Sequence, residues 1–221
     1  MDALAALEAE ICSCRHCPRL VAWREAVAAT RRAAFRDWQY WGRPVPGFGD
    51  PAARLLVVGL APAAQGGNRT GRVFTGDRSG DWLYRALHRA GFANQATSEH
   101  RDDGLRLEGA YVAAAVRCAP PANKPSVEER DACLPYLERE LALLTEVRVI
   151  VPLGAFAYDV VCRLTGSRRR PPFGHGREVA AAGDRTILCS YHPSQQNTFT
   201  GRLTEAMFDA VFARARQIVD R

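Results

Sequence analysis

The stretch RLLVVGLAPAAQGGNRTGRVFTGD (54–77) decides the fold of this chain. It opens with a largely apolar run, 54–60, of the kind that forms a strand buried on both faces, and it continues directly into a glycine-rich loop. Three more runs of this kind, at 110–117, 147–153 and 186–191, predict three further strands.

Segments with helical periodicity separate these strands. Residues 126–129 (SVEE) form a capping box, and the leucines at 134, 137, 141 and 144 continue one apolar face behind it. Further helices are predicted at 3–11, 18–30, 80–90, 154–164 and 201–219. Strands that alternate with helices predict an α/β fold with a parallel sheet covered on both faces.

An unusual loop follows each predicted strand. These loops are GLAPA (59–63), RCAPPANKP (117–125), GAFAYD (154–159) and HPSQQN (192–197). In open parallel sheets, ligands bind beyond the carboxyl ends of the strands. We therefore expect the loops to meet at one edge of the sheet and to form the functional site there.

The chain is basic, with a formal net charge of +6. Lys124 is the only lysine, so arginine supplies nearly all of the positive charge; this reflects either a GC-rich genome or a need for phosphate contacts. Arginines crowd the first loop, at Arg69, Arg72 and Arg78, and form a run at 168–170. Because guanidinium groups match phosphate geometry, this placement favours a nucleic-acid partner.

The sequence predicts a cytoplasmic protein with no membrane partner. No apolar run reaches the roughly 18 residues that a membrane span needs, and the start MDALAALEAEIC lacks the basic end and cleavage site of a signal peptide. Seven cysteines in that compartment argue against a disulfide framework. Two of them, Cys162 and Cys189, lie in apolar runs and are expected to be buried hydrophobic residues.

The other five cysteines indicate a metal centre. Cys12, Cys14 and Cys17 form C-x-C-x-x-C near the start, and Cys118 and Cys133 lie far along the chain. Such thiolates would tie two distant segments together through structural zinc or an iron–sulfur cluster. The spacing does not choose between the two.

Four ordered motifs resemble one known family. They are YWGRPVPGFGDP (40–51), VVGLAPAAQGGNRTGRVFTGD (57–77), VRCAPPANKPS (116–126) with E-R-x-x-C after two residues, and HPSQQN (192–197). Together with the cysteines they resemble the type-b, or family 5, uracil-DNA glycosylases. The resemblance implies a three-layer α/β/α sandwich around a four-stranded parallel sheet, in a single domain over 1–221. It also implies a [4Fe–4S] cluster on Cys14, Cys17, Cys118 and Cys133, with Cys12 as the spare unless it replaces Cys14.

Glycosylase chemistry assigns roles to several residues. A base inside a duplex must be flipped into a pocket before its N-glycosidic bond can be broken. Asp77 would stabilise the sugar cation and orient the water, His192 would donate to the base oxygen, and Phe74 would stack on the base. The competing interpretations are a helix-capping aspartate, a strand-end histidine and a core phenylalanine.

The remaining predicted site residues lie in the same loops. Asn123 would position water or contact the base, unless it is only a turn asparagine. Backbone amides of 59–63, which include Gly59, Ala61 and Ala63, would approach the base oxygen or a phosphate. The segment from Ser194 to Asn197 would contact phosphates or wedge into the helix.

The expected activity is that of a monofunctional glycosylase acting on double-stranded DNA. Several relatives carry a uracil-reading asparagine in the second strand, where this chain offers alanines instead (110–117, AYVAAAVR), so we expect hypoxanthine as well as uracil to be removed. With Lys124 as the only lysine, an intact abasic strand should remain. We expect a monomer, associated with a bacterial or archaeal nucleoid. The alternatives are a non-catalytic iron–sulfur or zinc protein that binds nucleic acid, and a hydrolase of small nucleosides.

Overall fold

A mixed six-stranded sheet forms the centre of the protein in the computed structural model, which describes residues 3–166 and 171–221. The strands are β1 (Phe48–Gly49), β2 (Leu55–Gly59), β3 (Ala110–Ala114), β4 (Val149–Pro152), β5 (Glu178–Ala181) and β6 (Arg185–Leu188), in the order β1-β3-β2-β4-β6-β5. The helices are α1 (Ala3–Ser13), α2 (Pro18–Thr30), α3 (Gly67–Thr70), α4 (Arg78–Arg89), α5 (Val127–Leu143), α6 (Ala155–Leu164), α7 (Gln195–Phe199) and α8 (Glu205–Val219).

The four predicted strands form the parallel centre of the sheet, from β3 through β2 and β4 to β6. The prediction of only four strands is wrong, because β1 and β5 add an antiparallel strand at each edge. Two-residue β1 is too short to show any periodicity. Strand β5 is joined to β6 by a hairpin whose turn includes Gly183 and Asp184, both with positive φ.

The sheet is covered on both faces, as the sequence predicts. Side chains alternate across a strand, so Leu55 and Val57 of β2 pack with α4 and α8, whereas Leu56 and Val58 pack with α5 and α6. All of these β2 side chains are at most 1% exposed. Strands β2 and β4 are therefore the two central strands of the sheet, and the loop that follows β2 starts from the buried core.

Capping residues set the beginnings of the helices. The predicted capping box is confirmed, since Ser126 Oγ accepts from the Glu129 amide and the Glu129 carboxylate accepts from the Ser126 amide. Helix α4 begins at Arg78 rather than at 80, because Asp77 caps it, and α8 begins at Glu205 after its cap Thr204. Short helices α3 and α7 lie within loops and have too few residues to show a period.

Ion pairs fix the N-terminal segment on α5. Arg139 of α5 bonds Glu10 of α1 at 2.6 Å, and Arg19 of α2 bonds Glu129 of α5 at 2.6 Å. This attachment brings the first cysteines to the side of α5 that carries Cys133. None of the helices within the described residues combines the length and apolar character needed to cross a membrane.

Candidate active site

Asp77 lies at the N-terminus of α4 and uses only part of its carboxylate as a cap. Its Oδ1 accepts from the Gly80 amide at 3.0 Å. Its Oδ2 faces Gly66 so closely that a Cβ added to Gly66 would lie 2.0 Å away. Capping and catalysis therefore do not exclude each other at Asp77. Oδ1 caps the helix, and Oδ2 lies next to Gly66 of the first loop.

The electrostatic surroundings of Asp77 act in opposite directions. Burial raises the pKa of its carboxyl above the ordinary range, while the amides of Gly80 and Ser79 and the Arg69 cation act to lower that pKa. The net effect is an increase. A carboxylate held in this way binds a proton more readily than an exposed one, and it interacts strongly with a nearby positive charge.

Phe74 lies against the end of β2. Its ring takes the space above Gly59, where an added Cβ would approach the ring to 2.6 Å. Its backbone has φ of 51°, an uncommon conformation for an aromatic residue, and its side chain is 9% exposed. Phe74 is thus part of the core and at the same time the aromatic wall at the carboxyl end of the central strand.

His192 lies beside that aromatic wall. The ring centroids of Phe74 and His192 are 5.9 Å apart with a tilt of 34°. Burial lowers the pKa of His192 to about 4, so its imidazole is neutral near pH 7. A neutral imidazole can donate one hydrogen bond to an accumulating negative charge without giving up a full proton.

The loop that begins at His192 is organised by its own side chains. Ser194 caps α7 by accepting from the Asn197 amide, and Asn197 Nδ2 donates to the His192 carbonyl at 2.9 Å. These two side chains therefore hold the histidine loop in place. Phe199, at the end of α7, is 66% exposed, and the Arg78 guanidinium lies 4.5 Å from its ring centroid.

The other predicted site residues lie in the loops that follow β2 and β3. Asn123 lies on an exposed turn, Pro121–Asn123, with φ of 55°, as a turn asparagine would. The Ala63 carbonyl accepts from the amides of Gly66 and Asn68 and so shapes the first loop. Ala61 packs against the cluster that contains Cys118. The structure joins Gly59, Phe74 and His192 by direct packing. Within the described residues it shows no hydrogen bond or ring contact between Asn123 and these three.

Two of the three arginines assigned to phosphate contact have other roles, so that prediction is wrong for them. Arg72 is 4% exposed and forms a bidentate pair with Asp103 at 2.9 and 2.7 Å. Arg69 is 3% exposed, and its guanidinium lies over the rings of Phe35 and Trp38 at 3.9 and 4.1 Å from their centroids. Arg78 alone of the three is exposed. The run 168–170 lies outside the described residues.

A cavity of about 680 Å³ opens beside Asp77. Its walls include Arg69 and Asp77 from the first loop, Trp38 from the segment before β1, and His100. Arg69 is tied to this wall by hydrogen bonds from Nε to the Gln65 carbonyl and from Nη2 to the Gly76 carbonyl, both at 2.8 Å. The Arg69 cation is therefore held in the wall of the cavity that also contains the Asp77 carboxylate.

Cys162 and Cys189 are buried in the apolar core, as predicted, and the other five cysteines divide into two groups. Cys118 and Cys133 are buried and pack with Cys17. Burial raises the pKa of Cys118, and the nearby Cys133 and Cys14 add to that increase, whereas Arg24 acts against it. Cys12 lines a separate pocket, together with Arg15 and Trp41 among others. Among the described residues no set of three or more His, Cys, Asp or Glu side chains meets the spacing for a metal ion.

Comparison with known proteins gives the family. The family model of the uracil DNA glycosylase superfamily matches residues 46–216, which contain Phe74, Asp77, Asn123 and His192. The chain belongs to that superfamily.

Curated glycosylases cover nearly the whole chain. It is 55% identical to a type-5 uracil-DNA glycosylase of Mycobacterium leprae over 96% of this chain and 94% of the relative. It is also 55% identical to a type-5 enzyme of Thermus thermophilus, over 93% and 94%. A type-4 enzyme of Pyrobaculum aerophilum is 32% identical over 71% and 74%. These likenesses make the chain a uracil-DNA glycosylase of the type-5 group.

Sequence reasoning missed several parts of this glycosylase site. Gly66 and Gly80 are required by close approach to Asp77 and Phe74, which a glycine-rich loop signals only in general terms. Arg69 was visible as a basic residue, but its burial beside Asp77 depends on Phe35 and Trp38 from a distant segment. Such contacts arise only in the folded chain.

Proposed function

We propose that this uracil-DNA glycosylase is monofunctional and removes both uracil and hypoxanthine from double-stranded DNA. It hydrolyses the N-glycosidic bond of a flipped nucleotide and leaves an abasic site, the first step of base excision repair. The observation that carries the proposal is the contact of Phe74 with His192 above Gly59, with Asp77 fixed three residues after Phe74.

Each of these side chains has a step that suits it. Phe74 provides a flat apolar surface for the flipped base, and neutral His192 donates a hydrogen bond to a base oxygen as negative charge develops there. Asp77 stabilises the positive charge on the sugar and orients the water that attacks its anomeric carbon. The carbon–nitrogen bond breaks, water supplies the hydroxyl group to the sugar, and its proton goes to the base or to solvent.

Asn123 and the first loop have supporting roles in this proposal. Asn123, on its exposed turn, approaches the water or the base when DNA is bound. The amides of the 59–63 segment lie at the carboxyl end of β2 and provide donors for the base or a phosphate. Neither role depends on the Phe74–His192 contact.

Activity on hypoxanthine follows from the composition of β3. Its residues Ala110–Ala114 are buried and carry small side chains around Tyr111 and Val112, and none offers a carboxamide that would pair with uracil alone. A pocket without such a carboxamide discriminates weakly between uracil and hypoxanthine, because both bases present a carbonyl oxygen next to an N–H group. Lys124 lies on an exposed turn and supplies the chain's only lysine amine, so cleavage of the strand is not expected.

The DNA-contacting surface lies around α7. Because Ser194 and Asn197 are engaged within the loop, the exposed Phe199 and the neighbouring Arg78 are better placed to meet DNA than the 194–197 segment. Phe199 would stack against bases next to the flipped nucleotide, and Arg78 would contact a phosphate. One copy of the chain supplies all of these groups, which suits a monomer.

Cys14, Cys17, Cys118 and Cys133 would hold a [4Fe–4S] cluster. In the described part of the chain the cysteines do not lie close enough together for a single metal ion, but a four-iron cluster binds one thiolate at each iron and so accepts thiols that are further apart. The thiols of Cys118 and Cys133 are buried and pack with Cys17, and Arg24 donates to Cys118 Sγ at 2.9 Å, which fits such a cluster. When bound, the cluster would serve as a cross-link between the N-terminal segment and the loop after β3. It would not take part in the hydrolysis.

The test is a single-turnover assay on duplexes with one uracil, one hypoxanthine or one adenine at the same position. Cleavage after alkali, but not before it, is expected for uracil and hypoxanthine and not for adenine. A uracil-only result would limit the substrate range. Cleavage without alkali, together with borohydride trapping through Lys124, would contradict the monofunctional assignment.

A further inference from the structure

Arg24 of α2 is a buried cation whose ion pair, among the residues that the structure describes, is a long one. It is 2% exposed, and the nearest carboxylate oxygen in its recorded ion pair, from Glu25, is 3.8 Å away. Glu25 is itself exposed and bonded by Arg15 at 2.5 Å. A buried charge is costly unless hydrogen bonds or an opposite charge compensate it. Something other than Glu25 must therefore compensate most of the Arg24 charge.

The hydrogen bonds of the Arg24 side chain go to the cysteine group. Nη1 donates to Cys118 Sγ at 2.9 Å, and Nη2 donates to the Cys14 carbonyl at 3.2 Å. One guanidinium thus spans the two distant segments that supply the proposed cluster ligands. Four thiolates around an iron–sulfur core carry a net negative charge, and hydrogen bonds to their sulfurs stabilise such centres.

The backbone of Arg24 faces the catalytic loop. Its carbonyl accepts from Asn68 Nδ2 at 3.2 Å, and Asn68 is fully buried in α3. The next residue, Arg69, holds the Gly76 carbonyl, which immediately precedes Asp77. Three hydrogen bonds, joined by the peptide links Asn68–Arg69 and Gly76–Asp77, therefore connect Cys118 through Arg24 with the carboxylate of Asp77.

We propose that Arg24 is a positioning residue that stabilises the cysteine-bound cluster with its side chain and holds the loop 66–77 with its carbonyl. This inference rests on the proposed cluster, not on the proposed substrate range. It predicts that the cluster and the catalytic loop are coupled. A side chain that no longer bonds Cys118 and Cys14 should weaken the cluster, and it should also let the Arg24 carbonyl shift away from Asn68, so that the loop 66–77 becomes less ordered. Coupling of this kind needs direct measurement, because a series of contacts alone does not demonstrate it.

The experiment uses the full chain purified with its cluster, and compares Arg24→Met, Arg24→Lys and Asn68→Ala with the control Arg15→Met. Arg15 carries the same charge on the same segment but bonds only the exposed Glu25 in its recorded contacts. Two properties are measured: loss of the visible sulfur-to-iron absorbance after adding an iron chelator, and amide exchange of peptides covering 66–77. Neither readout depends on glycosylase activity.

Arg24→Met should retain the cluster about 10- to 100-fold less well, the usual effect of removing a residue that hydrogen-bonds a metal ligand, and its loop amides should exchange faster. Arg24→Lys keeps the charge but loses the two guanidinium nitrogens that bond Cys118 and Cys14 at the same time. Its cluster retention and loop exchange should therefore lie between those of Arg24→Met and wild type. Asn68→Ala should loosen the loop while it keeps the cluster, and Arg15→Met should match wild type.

Three results would overturn the inference: wild-type cluster retention by Arg24→Met, cluster loss without faster loop exchange, or purified wild type without iron. If Arg24→Met does not fold, as judged by its circular dichroism, the other two variants test the inference. Wild-type cluster retention by Arg24→Lys, or wild-type loop exchange in Asn68→Ala, would then overturn it. An inactive protein that shows the expected exchange and retention would contradict the proposed function only.

Discussion

Ser79 Oγ donates a hydrogen bond to the Pro193 carbonyl at 3.0 Å. Ser79 lies two residues after Asp77, and Pro193 directly follows His192. The bond therefore joins the start of α4 to the histidine loop. It links two segments that are far apart in the sequence and that carry the carboxylate of Asp77 and the imidazole of His192.

Gly66→Ala should lower the single-turnover rate of base release by about 100-fold, the usual effect of misplacing a catalytic group by about 1 Å. The added methyl group would lie 2.0 Å from Asp77 Oδ2, so the carboxylate would have to turn away. Single-turnover rates on a uracil duplex measure this loss. Gly174→Ala is the matched control, since its Cβ would meet only the Arg177 side chain at 3.7 Å or more. Equal rates for the two variants would refute the requirement for glycine at 66.

Arg69→Met should move the acid side of the rate profile to higher pH. Asp77 must be ionised, and burial already raises its pKa, so activity falls as pH falls through that raised pKa. The Arg69 cation acts against this increase, and without it the pKa should rise further. Rates measured across pH for wild type, Arg69→Met and Arg69→Lys check the prediction. Arg69→Lys keeps the charge and should shift less; an unmoved profile in Arg69→Met would count against electrostatic support.

His192→Leu should reduce the rate by about 100- to 1,000-fold, as removal of one donor to a developing anion does. His192→Gln should lose less, because it still offers a neutral N–H. Since burial lowers the pKa of His192 to about 4, the histidine is already neutral over most of the working range. The shape of the pH profile above about pH 5 should therefore be the same in wild type and His192→Gln. A basic limb that vanishes in the glutamine variant would show that imidazolium is required.

Phe199→Ala should weaken binding to a lesion duplex by about 1 to 3 kcal/mol, the range for one base–aromatic stack. Because Phe199 is 66% exposed, the thermal stability of the free protein should change little. Fluorescence anisotropy with a non-cleavable uracil analogue measures the binding. Leu143→Ala serves as the control. Leu143 is 38% exposed and lies at the end of α5, just before β4 begins, so it is at the amino ends of the parallel strands, whereas Phe199 follows the carboxyl end of β6. Equal losses in both variants would exclude a specific role for Phe199.

The parallel centre of the fold was predictable because its signal is local. The apolar runs of β2, β3, β4 and β6 and the capping box at Ser126 lie within short windows, and the structure has them where the sequence places them. Strand β1 was not predictable, since two residues carry no period. The register of its pairing with β3 depends on Gly49 approaching the Ala110 backbone, which is a tertiary contact.

The site was predictable for residues whose side chains suit the reaction and which lie in the loops that follow the parallel strands. Phe74 lies in the long connection after β2, Asp77 ends that connection as the cap of α4, and His192 lies in the loop after β6. The rule that ligands bind beyond the carboxyl ends of parallel strands therefore located the three together. The arginines were misassigned because composition reports charge but not burial. Arg72 is neutralised by Asp103, thirty-one residues away, and no local pattern reveals such a pair.

The most direct test of the account compares wild type with Asp77→Asn in a single-turnover assay on a duplex with one uracil. The variant keeps an oxygen that can accept from Gly80 and loses only the charge, so the fold should be retained. We predict a loss of about 100- to 10,000-fold in the rate of base release, with unchanged binding of the duplex. A variant that releases uracil at the wild-type rate would contradict the central claim that the Asp77 carboxylate carries the reaction.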